Sequence, residues 1–154
     1  MSGKWLAATL ALAPMALTAT PAAAQDAAAT ENTADADAAT APIREAFFAR
    51  MKEGRTGEAL EALFVKAGQS LIKPVALSDL ERQFDNAITL YGPLRECHVY
   101  QQESAATLLA SYRYLCQHDR MITRWHLTFI RLPNGWQGGY IKFDDKFSDV
   151  LGKN

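Results

Sequence analysis

The chain has 154 residues, a length that suggests one domain, and a formal net charge of −1. Near-neutral charge with no basic run or stripe excludes an electrostatic binder of nucleic acid. Only two cysteines occur, Cys97 and Cys116, and they do not form a Cys-x-x-Cys pair, which argues against a thiol redox enzyme.

Residues 1–24 read as an export signal. Lys4 gives a short positive start, Trp5 to Thr18 is an uncharged Leu- and Ala-rich stretch broken by Pro14, and Ala22-Ala23-Ala24 offers a peptidase its small side chains, with cleavage before Gln25. The apolar run is shorter than the roughly 20 residues that span a bilayer. No cysteine near the cleavage site can accept a lipid. These features predict a periplasmic or secreted protein with no membrane anchor after signal cleavage.

Residues 25–41 hold eight alanines, three threonines and four acids (Asp26, Glu31, Asp35 and Asp37), and no large apolar side chain. Burial cannot offset the ordering entropy of such a segment, so an extended, disordered linker is expected, with transient helix as the alternative. Residues 42–154 form the folded domain, long enough for one modest core. By count the domain carries about +2 and the linker −4.

In the domain, Ile43, Phe47, Phe48 and Met51 recur at helical spacing and Gly54 closes the segment. Thr56 can cap a second short helix bearing Leu60, Leu63 and Phe64, ended by Gly68. Leu71 to Val75 contains Pro74 and reads as loop or edge strand. Ser78-Asp79-Leu80-Glu81 has the capping-box pattern and opens a third helix with Leu80, Phe84, Ala87, Ile88 and Tyr91 on one stripe, stopped by Gly92-Pro93.

From Leu94 the apolar period changes to two. Four strands are predicted, near 95–102, 108–117, 121–131 and 136–144, with hairpin turns at 117–120 and 132–135 and a last helical turn within 146–151. Helices followed by an antiparallel meander make an α+β fold. Pairing across the turns puts Tyr112, Tyr114, Cys116, Met121, Thr123, Trp125, Leu127, Phe129, Trp136 and Tyr140 on the face that meets the helices. Ser111, Arg113, Arg124, His126 and Thr128 fall on the opposite face, with Leu109, Ile122, Ile141 and Phe143.

Several segments carry a resemblance. The run Phe48 to Phe64 (FARMKEGRTGEALEALF), the Tyr91-Gly92-Pro93-Leu94 junction and the ending Trp136 to Phe143 (WQGGYIKF) resemble the nuclear transport factor-like, or cystatin-like, superfamily, in particular small exported bacterial members of unknown function. The resemblance spans nearly all of 42–147 and implies a curved four-stranded sheet wrapped cone-like around N-terminal helices, with a cavity inside. Enzymes of that superfamily place Asp, His or Tyr in the cavity. Here the strands offer that face tyrosines but no carboxylate or histidine.

Candidate residues follow from this layout. Cys97 and Cys116 can face each other on neighbouring strands, and export favours a disulfide over two separate buried thiols. Tyr112, Tyr114, Trp125 and Tyr140 either line a small-ligand cavity or pack as core. Arg113, Arg124 and His126 form a patch suited to an anionic partner, the two arginines being expected face to face; the alternative is ordinary solvated charge. His98, His118 and His126 lie apart, with His118 in an exposed hairpin, and give no metal-ligand spacing. No cofactor is called for. The reading is therefore an exported, non-catalytic binding or accessory module, taking a small ligand in the cone or an envelope protein on the sheet face. A homodimer through that face would cover Ile122, Ile141 and Phe143. The alternative is a small acid–base enzyme, a lyase, isomerase or hydrolase, using Tyr112 or His126.

Overall fold

The computed structural model describes residues 22–152, with side chains from residue 33 onward. Most of the signal segment lies outside the described residues. Among those described, no helix is long and apolar enough to cross a membrane. Three helices, α1 (Ala22–Lys52), α2 (Thr56–Phe64) and α3 (Pro74–Tyr91), pack on one four-stranded antiparallel sheet. Its strands β3 (Leu94–Ala105), β4 (Leu109–His118), β5 (Ile122–Leu132) and β6 (Gly135–Asp144) run in sequence order, followed by a short 3₁₀ turn (Phe147–Leu151). A two-stranded ribbon, β1 (Val65–Lys66) and β2 (Gln69–Ser70), joins α2 to α3.

The stretch expected to be an extended linker is helical. Ala36, Thr40, Phe47 and Met51 are all buried, and their spacing keeps one face of α1 on the core well upstream of Ile43. Ala36 and Thr40 hide this pattern because neither is a large apolar residue. Thr40 satisfies its own hydroxyl by donating to the Ala36 carbonyl (2.8 Å), and its oxygen lies 2.8 Å from the Tyr112 hydroxyl. Pro42 lies inside the helix, so one backbone hydrogen bond is missing there.

The third helix also begins earlier than the capping-box pattern indicates. Pro74 occupies its first turn, where a missing N–H costs nothing and the fixed φ suits the helix. Ser78 therefore lies one turn inside, its hydroxyl donating to the Pro74 carbonyl (3.3 Å). Pro74 and Val75 belong to this helix rather than to a loop or edge strand.

Two register differences shape the sheet. The β4–β5 turn is centred on Asp119 and Arg120, with the His118 N–H donating to the Met121 carbonyl (2.8 Å). Arg113 thus pairs with His126, and Leu115 with Arg124, instead of Arg113 with Arg124. A shift of two residues leaves every side chain on its expected face, because the strand period is two. The second difference does change faces. A bulge lets Thr128 pair with Tyr140 while Phe129 pairs with Gly138, leaving Gly139 as the extra residue. Past the bulge, Tyr140 turns outward (47% exposed), and Ile141 and Phe143 turn inward onto the helices. Gly138 marks a close approach in the same strand: an added Cβ would lie 2.6 Å from the Leu63 carbonyl oxygen of α2.

The core sits between the helices and the inner face of the sheet. Trp125, 2% exposed, stacks on Phe143 (5.2 Å between centroids) and meets Phe84 (5.1 Å) and Phe47 (5.9 Å). Its indole N–H donates to the Thr123 hydroxyl (2.7 Å), which also bonds His118 Nε2 (3.1 Å). His118 is buried, not exposed in a hairpin: its Nδ1 reaches the Gly92 carbonyl (2.9 Å) and ties the end of α3 to the β4–β5 turn.

Cys97 and Cys116 stand directly opposite each other on β3 and β4 and form a disulfide. The bridge spans a sequence separation of 19 residues. Loop-closure entropy for such a span corresponds to about 3 kcal/mol of stabilisation. Chemical unfolding with and without reductant should show a loss of about that size; an unchanged midpoint would mean the bridge adds no stability.

Candidate functional site

The sequence points to two sites, an inner one among the aromatics and an outer one among the cations. Tyr112, Tyr114 and Trp125 do come together on the inner face, and all three are buried. The protein's own side chains fill the space around them. Phe48 lies against Tyr114 (4.7 Å between centroids), and Phe129 against Tyr112 (5.8 Å). Arg44 of α1, which the sequence reading missed, places its guanidinium 4.0 Å over the Tyr112 ring and donates to the Tyr114 hydroxyl (3.1 Å). It also pairs with Asp37 (2.5 Å).

Burial raises the pKa of both Tyr112 and Tyr114, so each stays a neutral phenol. With its hydroxyl occupied by Thr40, Tyr112 has no route to a substrate proton. Tyr140 leaves this group altogether, on the far side of the sheet. A cavity of about 350 Å³ remains beside the cluster, lined by Arg44, Phe48, Lys52, Cys97 and Tyr114 among others.

On the open face the expected patch is assembled. Arg113, His126 and Lys142 occupy directly paired positions on β4, β5 and β6. They line a groove of about 230 Å³ with Tyr100, Arg124 and Asp144. Strand spacing of about 4.8 Å puts the outer two backbones of this row about 10 Å apart. Arg124 is already paired: its Nε and Nη2 meet the two Asp144 oxygens at 2.8 and 3.0 Å, and Asp149 lies 3.5 Å from Nη1. That pairing holds the Asp144 carboxyl below its ordinary range. Arg113 instead donates from Nη1 to the Gln101 side-chain oxygen (2.8 Å). Among the described residues, no carboxylate lies within ion-pair distance of Arg113 or Lys142.

His126 sits between these two cations. Its Nε2 bonds the Ser111 hydroxyl (2.8 Å) and lies 3.4 Å from that of Thr128, and its ring meets Tyr140 edge-on. Burial first, then the positive charges of Arg113 and Lys142, lower its pKa, with Glu103 opposing. A Ser–His pair at this distance has the geometry of a base and a hydroxyl, but among the described residues no third group orients the imidazole. No described cluster of three or more His, Cys, Asp or Glu side chains could hold a metal ion, and His98 and His118 lie elsewhere.

Lys142 escaped the sequence reading because it lies beyond the β-bulge at 128/129, where strict alternation from Trp136 assigns the wrong face.

A sheet of four antiparallel strands in sequential order, with three preceding helices on one face, has a counterpart among solved structures. It matches a protein of unknown function from Silicibacter pomeroyi, described as NTF-2-like, over 73% of this chain and 97% of that one, with 15% identity and a TM-score of 0.51. The fold is nuclear transport factor 2-like. A DUF4783 family protein from Bacteroides uniformis is also similar, over 66% of this chain and 94% of that one, with 13% identity and a TM-score of 0.47. No family model and no curated protein matches the sequence. At these identities the likeness to the nuclear transport factor 2-like structure concerns fold alone, so any chemistry must be argued from this chain's own residues.

The histidine gives a direct check on the groove. A pKa below the ordinary value near 6.5 means the unfolded chain binds its proton first on acidification. Stability is then full above about pH 6.5 and falls as the pH drops toward the folded value. Histidine NMR titration should place the His126 midpoint below 6.5, and Arg113→Gln should raise it. A midpoint at or above 6.5 in the parent would contradict the cationic surroundings described.

Proposed function

We propose that the chain is an exported, non-catalytic binding module that takes an anionic partner on the open face of its sheet. The observation that carries this reading is the row Arg113–His126–Lys142, in which neither permanent cation has a carboxylate partner among the described residues. A surface cation commonly stands alone in water, and two of them mean little by themselves. Here they converge on one groove, beside a histidine whose positive form the same charges disfavour. Burial of Tyr112 and Trp125 adds indirect support, because neither has free surface to offer a ligand; of the inner aromatics named from the sequence, Tyr114 alone borders the inner cavity.

Export rests on the sequence of the first 24 residues, and the Cys97–Cys116 bridge is compatible with it. N-terminal sequencing of the protein recovered from its native host should begin at Gln25. Recovery of an uncleaved chain from the cytoplasm would remove the export part of the proposal.

For binding, amide NMR spectra of the mature protein should be recorded during titration with citrate. Shifts should concentrate at Arg113, His126 and Lys142, weaken with added salt, and vanish in the Arg113→Glu, Lys142→Glu double variant. Shifts centred on Arg44 and Tyr114 instead would move the site to the inner cavity.

A further inference from the structure

We infer that the groove selects a small dicarboxylate of about four to six carbons, one carboxylate held by Arg113 and the other by Lys142. This rests on the anion-binding reading and names its ligand class.

Three observations on the open face lead there. The first is the arrangement of donors. Arg113 commits Nη1 to Gln101, and its Nε and Nη2 have no partner among the described residues. That free edge of the guanidinium matches a carboxylate in two parallel hydrogen bonds. Lys142 supplies a separate point charge from the other side of His126. With the two backbones about 10 Å apart, two anionic groups at the ends of a short chain satisfy both cations better than one compact anion.

The second observation is size. A volume of about 230 Å³ equals that of about eight waters. A dicarboxylate of four to six carbons has about that many heavy atoms.

The third is what closes the groove. The Arg124–Asp144 pair forms one wall as a satisfied unit, leaving neither charge in search of a partner. Tyr100, 37% exposed, is a further lining side chain. His126 lies between the cations with Nε2 engaged by Ser111, and its Nδ1 has no partner among the described residues. The imidazole can therefore contact the middle of the ligand, where a substituent hydroxyl or carbonyl would sit. Glu103 bonds Gln101 and does not line the groove, so it opposes binding only at longer range.

The test is calorimetric titration of the disulfide-bonded mature protein with succinate, glutarate, acetate and inorganic phosphate at low salt. Succinate or glutarate should bind at least about tenfold more tightly than acetate or phosphate. Arg113→Gln and Lys142→Gln should each weaken the dicarboxylate about tenfold, while Lys142→Gln leaves acetate nearly unchanged. Far-ultraviolet circular dichroism and the thermal midpoint would confirm that both variants fold. If acetate or phosphate binds as tightly as the dicarboxylates, the ligand class is wrong and anion binding stands. If no anion in the set binds, and citrate leaves the groove amides unshifted, the binding reading falls with it.

Discussion

The packing of Trp125 against Phe47, Phe84 and Phe143 is the constraint on which the rest depends. Large aromatic rings dominate the apolar area of a small core, and here Trp125 meets Phe47 edge-on, Phe84 at a tilt and Phe143 in a stack. This cluster joins α1, α3, β5 and β6 in one place. Its single polar handle, the indole N–H, is taken up by Thr123, and through Thr123 and His118 the network reaches the Gly92 carbonyl at the end of α3. The fold thus uses its interior for stability. Charged and polar side chains alternate onto the other face of the same strands.

That alternation explains the character of the open face. On β5, Trp125 and Leu127 point into the core, while Arg124, His126 and Thr128 alternate outward with them. Two of these outward residues are held by neighbours, Arg124 by Asp144 and His126 by Ser111 and Tyr140. Arg113 is steadied by Gln101, whose amide leaves its charge uncompensated. An ionic neighbour would have neutralised the row, whereas an amide orients it.

Much of this was legible in the sequence, and the failures have identifiable physical causes. Alternation of apolar and polar residues located all four strands and put Tyr112, Tyr114, Trp125, Arg113 and His126 on the correct faces. The first hairpin allowed Cys97 and Cys116 to face each other, and export favoured the bridge over two separate thiols. A two-residue register shift between β4 and β5 did no harm to the faces, but it replaced an Arg113–Arg124 pairing with Arg113–His126. The bulge at Gly139 did more damage, sending Tyr140 outward, bringing Phe143 onto Trp125, and hiding Lys142 from the patch it completes. Nothing in strict alternation signals a bulge except the paired Gly138-Gly139. The upstream part of α1 was missed because small residues, Ala36 and Thr40, do the packing there. Where backbones approach closely, hydrophobicity is a poor guide to burial.

The central claim is that the proposed ligand sits on the outer face of the sheet, between Arg113 and Lys142, and not in the inner cavity beside Arg44 and Tyr114. A crystal structure of the mature protein grown with succinate tests it most directly. The account predicts a bound dianion between the Arg113 guanidinium and the Lys142 ammonium, with the Trp125–Phe143 stack unchanged. Succinate seated instead beside Arg44 and Tyr114, with the outer groove holding only solvent, would contradict it.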